Sequence, residues 1–456
     1  MSVAVVAGGF VGPIVLADAA FAASFTVNSF NDRPDNNLAD NICRTSSGSC
    51  SLRAAIQQAN ATPGTDEIRL SGGTYRLGRV DGVEQPASID TDNSRDLDVS
   101  SSLSIVGATG ATRSVIDGGR YARILEIHAG NPNVNVSNVT LTNGGESETP
   151  RFGVGGAMLI RTGWVSLHRV TVRDNVTTLQ GSGIANAGTL TLSESTVDNN
   201  RNLSTLGGGG VTATGGGIFN YSTGWLTIDR STISNNFSLR GGGLNNSAGN
   251  VTITNSTISG NSAMNSGGAI RNQGNSTGAQ GILNIAFSTI VGNQANMPGG
   301  ADAQRVGGGI ANVGGQVNMG GTILAANTDN RSTSDRTPDC HSPETFRFTS
   351  FRNNVIGLIN GPCDVQDTIW GTQLFDRVSR NVNAPLDPRV GALAANGGPT
   401  MTRQLFGGSP AMDWASSGTS STLFNCPATD QRATSRPRDG DFNGSAICDA
   451  GSFEIG

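Results

Sequence analysis

The chain has 456 residues, of which 64 are glycine and 14% are charged, and its formal net charge is −5 at pH 7. All 30 basic residues are arginine, because the sequence contains no lysine. The negative charge and the absence of a basic run argue against a nucleic-acid partner. The length would accommodate several globular domains, but the repeats described below favour one continuous stack.

The first 23 residues form an apolar run that ends in Ala20-Phe-Ala-Ala23. Small residues at this spacing after an apolar stretch are typical of a secretory cleavage site, so we predict a signal peptide over 1–23. The run lacks the usual positive start, and a membrane anchor is the alternative. Gly12-Pro13 and Asp18 interrupt the run and favour the signal peptide. We therefore expect a secreted or cell-surface protein with no transmembrane segment after signal removal.

Residues 24–80 are predicted to form an N-terminal cap. This segment contains apolar residues at helical spacing, at Leu52, Ala55, Ile56 and Ala59. Ser51 precedes them as a helix N-cap. A helix laid across the open end of a strand stack would cover unpaired strand edges. The runs 66–70 and 74–77 are predicted to be the first strands.

Residues 81–335 contain near-copies of one phrase, such as G-G-G-I-F-N (215–220) followed by W-L-T-I-D-R-S-T-I-S-N-N (225–236). The shortest copies repeat after 25 residues, as from Asn175 to Asn200. Each copy holds short alternating runs bounded by turn residues, which predicts strands, and none holds a helix-length amphipathic pattern. We predict an all-β fold, a right-handed parallel β-helix whose coils stack about 4.8 Å apart.

Two columns of asparagine recur at fixed places in the repeats. Stacked amides can satisfy one another by hydrogen bonds, so we expect two buried ladders at corners of the coil. The Gly-Gly pair before each second-column strand fits a corner that needs a positive φ. The first column is Asn175, Asn200, Asn236, Asn261, Asn293 and Asn327, and the second is Asn186, Asn220, Asn246, Asn272 and Asn312.

The residues that flank the second column are expected to point outward, because side chains alternate along a strand. The outward pairs are Glu126 and His128, Leu159 and Arg161, Ala185 and Ala187, Phe219 and Tyr221, Asn245 and Ser247, Arg271 and Gln273, and Ala311 and Val313. Glu126 and His128 suit an acid/base pair. An exposed Phe219/Tyr221 pair would stack on a sugar ring, and Arg161 and Arg271 would pair with carboxylates. An ordinary solvated sheet face is the alternative.

Extra residues in some repeats indicate long loops at 201–214, 273–281 and 294–306. The first and third are expected to leave from one corner and to flank the short corner segments 237–240 and 262–265, which would form a cleft. Arg240, Asn245 and Arg305 complete the candidate substrate-binding set. Neutral loop growth is the alternative, because surface insertions cost little free energy.

Residues 336–456 are predicted to be the last coils and a disulfide-pinned cap. Six cysteines agree with an oxidising compartment. Proximity in sequence favours Cys43 with Cys50, Cys340 with Cys363, and Cys426 with Cys448, although other pairings are possible. No C-x-x-C pair is present, which argues against a structural zinc site.

The segment D-G-D-F-N-G (439–444) matches the first half of a calcium-binding loop. Ala450 stands where that loop has its bidentate glutamate, and Asp449 or Glu454 would have to substitute. A calcium ion held by Asp439, Asp441, Asn443 and Asp449 is therefore one interpretation, and a plain Asp-Gly turn is the other.

Four stretches carry a resemblance to a known family. C-S-L-R-A-A-I-Q-Q-A-N (50–60) resembles the CSLREA signature of secreted bacterial β-helix proteins, with Ala54 in place of its glutamate. L-D-P-R-V-G-A-L-A-A-N-G-G-P-T (386–400) and C-D-A-G-S-F-E (448–454) resemble the choice-of-anchor Q domain, and G-G-A-I (267–270) resembles repeats of polymorphic outer-membrane proteins. The resemblance implies a pectin-lyase-like architecture and is weak for activity.

Three functions follow as hypotheses. The first is binding of a polysaccharide or a cell-surface partner along one face without catalysis, because the repeats hold few ionisable side chains. The second is a polysaccharide lyase or glycoside hydrolase in the predicted cleft, with Glu126, His128, Tyr221, Arg240 and Arg271 as catalytic candidates. Lyases that use lysine are excluded by the composition. Hydrolases with this fold use N-T-D, D-D and G-H-G phrases, and the D-D and G-H-G phrases are absent. A structural spacer or adhesin is the third.

Overall fold

The computed structural model describes residues 21–78, 96–121, 123–128, 130–145, 154–203, 213–295, 297, 306–331, 336–343, 348–367, 375–415 and 422–456. Within these ranges the chain forms a parallel β-helix, which confirms the predicted fold class. Each complete coil passes through four sheets, named here sheets 1 to 4 in the order in which the chain visits them. Among the described residues, no helix has the length and apolar character needed to span a membrane.

Sheets 1 and 2 follow each other around the coil. Sheet 1 consists of Leu97–Val99, Leu125–Ile127, Met158–Ile160, Ile184–Asn186, Ile218–Asn220, Leu244–Ser247, Ile270–Gln273, Ile310–Asn312 and Cys340–His341. Sheet 2 consists of Ser24–Thr26, Asp66–Arg69, Leu103–Val106, Asn133–Ser137, Trp164–His168, Thr189–Ser193, Trp225–Asp229, Asn250–Thr254, Gly281–Ala286, Gly315–Gly320, Phe348–Ser350 and Val365–Asp367.

Sheets 3 and 4 complete the coil. Sheet 3 consists of Gly73–Arg76, Ser114–Asp117, Val139–Thr142, Thr171–Arg173, Thr196–Asp198, Thr232–Ser234, Thr257–Ser259, Thr289–Val291, Ile323–Ala325, Val355–Ile356 and Arg377–Val378. Sheet 4 consists of Val176–Thr177, Arg201–Asn202, Phe237–Arg240, Ser262–Ser266, Gln294–Ala295 and Thr328–Asp329. Segments 237–240 and 262–265 are therefore strands, and the prediction of corner loops there is wrong. The coils begin within the cap segment and continue to Val378.

The first asparagine column forms a ladder at the corner between sheets 3 and 4. Asn236 is representative: its Nδ2 donates to Oδ1 of Asn261 at 2.9 Å and to the carbonyl of Val197 at 3.0 Å. Its backbone N–H donates to the same Oδ1 of Asn261 at 3.0 Å. The ladder ends on a residue that the sequence interpretation did not include, because Asn327 donates to Oδ1 of Asp339 at 3.0 Å.

The second asparagine column forms a similar ladder at the corner between sheets 1 and 2. Asn220, for example, accepts from Asn186 at 2.8 Å and donates to Asn246 at 2.9 Å. A third ladder, of serine, lies between sheets 2 and 3, where Ser231 N–H donates to the hydroxyl of Ser256 at 3.0 Å. The corner between sheets 4 and 1 is the glycine turn, and Gly241 there has a φ of +64° as predicted.

The core inside the coils is filled by the inward branched side chains of the strands. Ile228, Ile253 and Ile285 stack in one row of sheet 2 and are fully buried. The N-terminal end of this core is closed by the helix Leu52–Ala61, and the side chain of Ser51 accepts the Ala54 N–H at 3.1 Å as its N-cap. Leu52, Ala55, Ile56 and Ala59 pack into the same core, which agrees with the predicted apolar stripe.

The C-terminal segment packs on the outer face of sheet 3. It contains the antiparallel pair Val390–Ala394 and Thr402–Leu405 and the short 3-10 helix Thr422–Phe424. Phe424 and Phe453 pack with Phe287 and Ile323 in a second apolar cluster outside the coils. Polar contacts continue along the face, since Gln431 donates to Thr232 Oγ1 at 3.0 Å. The predicted disulfides are confirmed as Cys43–Cys50, Cys340–Cys363 and Cys426–Cys448.

Candidate functional site

The outer face of sheet 1 has the register that the sequence analysis assumed. Glu126 pairs with Leu159, Ala185 pairs with Phe219, and Asn245 pairs with Arg271 in adjacent coils, with the other pairs in step. In nearly every outward pair, such as Glu126 and His128, the first residue is nevertheless buried. Glu126, Ala185 and Asn245 have no exposed surface, and Phe219 is 5% exposed.

From the coil of Leu159 onward, the glycine turn packs against this row of residues. A Cβ placed on Gly241 would lie 2.9 Å from the Cβ of Asn245, so the turn from sheet 4 closes over the first row. Apart from Arg271, which is partly exposed, solvent reaches mainly the second residue of each pair. The expectation that Phe219 is an exposed stacking surface is therefore wrong. Its ring instead packs edge-on against Tyr221, with a centroid distance of 4.6 Å.

Glu126 lies at the centre of a charged cluster on this face. Its carboxylate contacts the guanidinium of Arg123 at 2.5 Å and forms an ion pair with the guanidinium of Arg161. Arg123 also forms an ion pair with Asp96 at 2.8 Å. A fully buried carboxylate needs such partners because desolvation of an unpaired charge is costly. The Glu126 carboxylate therefore forms ion pairs with two guanidinium groups and is not exposed as an acid.

His128 contacts a second buried carboxylate. Its Nε2 lies 2.7 Å from Oδ1 of Asp98 and 3.8 Å from Oε1 of Glu126. The hydrogen bond to Asp98 raises the pKa of His128 above its ordinary value, although burial opposes this effect. The imidazolium form is therefore more populated than in a free histidine side chain at the same pH. The His128 side chain remains 28% exposed, whereas that of Asp98 is 8% exposed.

The groups that face solvent in this cluster are cationic. The side chain of Arg161 is 55% exposed, and the carboxylate of Glu126 beneath it has no exposed surface. Ala187 separates Arg161 from Tyr221 in the outer column, so its small side chain leaves a gap between them. Burial raises the pKa of Tyr221, which keeps its hydroxyl protonated, although the charge of Arg161 acts in the opposite direction. We name the residues His128, Arg161, Ala187 and Tyr221 the cationic face.

The remaining candidate residues lie farther along the stack. Arg271 donates from Nη1 to Oδ1 of Asn245 at 3.4 Å. Arg240 belongs to sheet 4, where it pairs with Ser266. Arg305 and most of the two long loops, 204–212 and 298–305, lie outside the described residues, so the predicted cleft stays a prediction. A cavity of about 420 Å³ lies at the C-terminal end of the stack, among residues that include Asn360, Cys363 and Arg380.

Two groups of acidic or imidazole side chains within the described residues have the spacing of metal ligands. The first is Asp98, Glu126 and His128. Its donor atoms already contact one another or the guanidinium groups of Arg123 and Arg161, so a cation would have to displace these partners. This arrangement fits a metal poorly.

The second group is Asp413, Asp439 and Asp441. Its carboxylates accept backbone N–H groups: Asp439 accepts from Gly444 at 2.8 Å, and Asp413 accepts from Asp441 at 3.0 Å. Asp449 is buried and accepts from Ile455 at 2.7 Å. The contacts within 439–444 are those of an Asp-Gly turn, whereas Asp413 joins this turn to a distant part of the chain. The proposed calcium set of Asp439, Asp441, Asn443 and Asp449 stays a prediction.

The chain also contains one N-T-D phrase, at Asn327-Thr328-Asp329. Asn327 is a member of the first ladder. The Asp329 carboxylate accepts the Thr337 N–H at 3.0 Å and forms an ion pair with Arg331 at 2.6 Å. These contacts give Asp329 a structural role at the end of sheet 4.

Sequence reasoning identified Glu126, His128, Arg161 and Tyr221 but did not assign a role to Asp98 or Arg123. Asp98 occupies the sheet 1 position next to Glu126, in the preceding coil. The signal for it was present, because the phrase Leu97-Asp-Val99 has the same alternation as Leu125-Glu-Ile127. The coils of Glu126 and Leu159 were aligned with the later repeats although they lack the asparagine, but the coil of Asp98 was not.

The chain was compared with known proteins. No family model and no curated protein sequence matches it. One solved structure that is similar is the crystal structure of pectate lyase Pel9A, with a TM-score of 0.48 and 15% sequence identity. The similarity covers 95% of this chain and 96% of that chain.

Proposed function

We propose that the protein is a secreted β-helix protein that binds an acidic polysaccharide on the cationic face, without cleaving it. The observation that carries the proposal is the arrangement of these side chains in two layers: buried Glu126 and Asp98 contact the exposed guanidinium of Arg161 and the partly exposed imidazole of His128. Arg161 presents a planar donor set suited to a carboxylate. The sugar ring that bears this carboxylate would lie over Ala187 and against Tyr221.

Binding is favoured over catalysis by the protonation states at this face. Elimination next to a uronate carboxyl requires an unprotonated base. The pKa values of His128 and Tyr221 are both raised, which disfavours the unprotonated form that either side chain would need as a base. The two carboxylates already have partners, since Asp98 contacts the imidazole of His128 and Glu126 contacts the guanidinium of Arg123. The cationic face therefore offers groups for binding, and its titratable side chains are shifted away from the form that would act as a base.

The test is calorimetric titration with an oligogalacturonate and with its methyl ester, which has the same chain without the charges. We expect binding of the acid form alone, and about a tenfold loss on Arg161→Ala because one charged hydrogen-bonding group is removed. Arg169→Ala is the matched control. Arg169 is also half-exposed, at 52%, and also forms an ion pair with a buried glutamate, Glu194. Equal losses in the two variants would contradict the proposal.

The pH dependence of binding provides a second readout. The imidazolium of His128 is lost as pH rises through its raised pKa, so affinity for the acid form is expected to fall in that range. His128→Gln is expected to flatten this dependence and leave the affinity at high pH unchanged. Mass spectrometry of the same mixtures checks for cleavage, and shortened oligosaccharides would overturn the non-catalytic part of the proposal.

A further inference from the structure

Two tryptophans on the outer face of sheet 2 are unusually exposed. Trp164 is 56% exposed and Trp225 is 59% exposed. Trp414, the other tryptophan in the described residues, is half-buried and contacts the guanidinium of Arg377 at 4.0 Å. Exposure of large aromatic surface to water costs free energy, so two such side chains on one sheet call for a ligand.

The two tryptophans occupy the same column of the sheet. Trp164 pairs with Thr189, and Thr189 pairs with Trp225 in the next coil. Each tryptophan is the first residue of a five-residue strand, so both side chains point outward from the same face of the sheet. Their backbones are two strand spacings apart, or about 10 Å along the axis of the stack.

The outward residues that adjoin the indoles within sheet 2 are uncharged and polar, and the charged groups His168 and Asp229 lie at the far ends of the same strands. Asn133 and Asn250 continue the tryptophan column on either side. The next outward column contains hydroxyl side chains, at Ser166, Thr191 and Thr227. The indoles are thus two separate flat apolar surfaces with hydrogen-bonding side chains around them. A protein partner would favour a continuous apolar patch, and the threonine between the indoles interrupts any such patch.

We propose that Trp164 and Trp225 bind an extended, uncharged β-linked polysaccharide chain that runs along the axis of the stack. A pyranose ring with equatorial hydroxyls presents an apolar C–H face that packs on an indole, while its hydroxyls reach polar neighbours. In an extended two-fold chain, alternate rings present the same face. Two rings would then contact the two indoles, and the ring between them would lie over Thr189.

This site lies on a different sheet from the cationic face and does not depend on it. The two sites also take chemically different ligands. The cationic face requires a charged group on the glycan, whereas the tryptophan column requires only a flat ring and a matching repeat. Failure of one proposal therefore leaves the other standing.

The test is the length dependence of binding to cello- and xylo-oligosaccharides, followed by tryptophan fluorescence and calorimetry. A trisaccharide is the shortest chain that reaches both indoles, so affinity is expected to rise about tenfold from the disaccharide to the trisaccharide. Trp164→Ala and Trp225→Ala are each expected to remove this rise. Tyr121→Ala, which removes an aromatic ring that is 49% exposed, is the control and is expected to retain it.

Three outcomes would overturn the proposal. One is the absence of binding to both oligosaccharide series, and another is equal affinity for disaccharide and trisaccharide. The third is a second copy of the chain as the occupant, which sedimentation would reveal as a wild-type dimer that becomes monomeric in Trp225→Ala. Circular dichroism of each variant separates loss of the platform from loss of the fold.

Discussion

The first asparagine ladder and the outer surface around Glu126 are built from the same coils by opposite means. In the ladder, Asn236 has the same residue type and the same bonds as Asn200 before it and Asn261 after it. Around Glu126, the corresponding positions in later coils hold Ala185 and Phe219, so the charged contacts occur without a counterpart there. A side chain that recurs in every coil is one that the fold requires, and a position where the repeat is broken is a candidate for a functional site.

The two regions also satisfy buried polar groups differently. Ladder amides are neutral and offer both donors and acceptors, so each can serve the next without charge. Glu126 accepts only, and it needs the guanidinium groups of Arg123 and Arg161 to offset its desolvation. Breaking either arrangement leaves buried groups without partners. We expect the larger loss of stability from a substitution in the ladder, because each asparagine there hydrogen-bonds to residues of two neighbouring coils.

Asn236→Ala is expected to give the largest loss of stability. The substitution leaves the Asn200 N–H and amide without their acceptor, and it removes a donor from the Val197 carbonyl. Each such buried group costs about 1–3 kcal/mol, so we expect a loss of about 5 kcal/mol in the free energy of unfolding by urea denaturation. Asn250→Ala, on the outer face, is the control and should change it by less than about 1 kcal/mol.

Asp339 makes the end of the ladder sensitive to pH. Burial raises its pKa from 3.8 to about 7, although the Asn327 donors lower it. A carboxyl whose pKa is raised in the folded state contributes its full stability at a pH below its pKa in the unfolded state. This stability is lost as the pH rises toward the pKa in the folded state. The loss is about 4 kcal/mol, spread between about pH 4 and pH 7.

Thermal unfolding across this pH range tests the prediction. The fall in melting temperature from pH 4 to pH 7 is expected to be smaller in Asp339→Asn than in the wild type. Asp376, Asp449 and Glu454 have pKa values raised in the same direction and would retain part of the fall. The exposed Asp387→Asn serves as the control. Identical profiles for wild type and Asp339→Asn would show that this carboxyl does not titrate as described.

Glu126→Gln tests the outer surface and is expected to have the smallest of these effects. The amide cannot offset two guanidinium groups, so a loss of about 3 kcal/mol is expected. Glu194→Gln is the comparison, since Glu194 holds Arg169 and Arg230 but is 9% exposed rather than fully buried. A smaller loss is expected there. An equal or larger loss in Glu194→Gln would remove the distinction drawn for Glu126.

The repeated features were those most open to sequence reasoning. The columns that contain Asn236 and Asn220, the glycine turn and the register of sheet 1 were all predicted and are present. The serine ladder was missed, although Ser195, Ser231, Ser256 and Ser288 precede Thr in successive copies. The strands of sheet 4 were missed because each is short and follows a turn, so their alternation resembles that of a loop.

The candidate site was predicted only in part. Glu126, His128, Arg161 and Tyr221 stood out as rare functional groups in an outward column. Their roles depended on depth, which alternation along a strand does not specify. Glu126 proved to be buried beneath Arg161, and Phe219 beneath the glycine turn. Trp164 and Trp225 lay within predicted strands. That they share one column of sheet 2 becomes visible only when the coils are stacked, because the loops between them differ in length.

The amino-acid sequence by itself determined the coil, because identical side chains at a fixed period satisfy each other only when they are stacked. The tertiary structure alone decided which polar groups are covered and which face solvent. That outcome depends on contacts between segments far apart in the chain, such as Arg123 with Asp96 and Gln431 with Thr232. A local pattern specifies the direction of a side chain, whereas its burial depends on what the rest of the chain places over it.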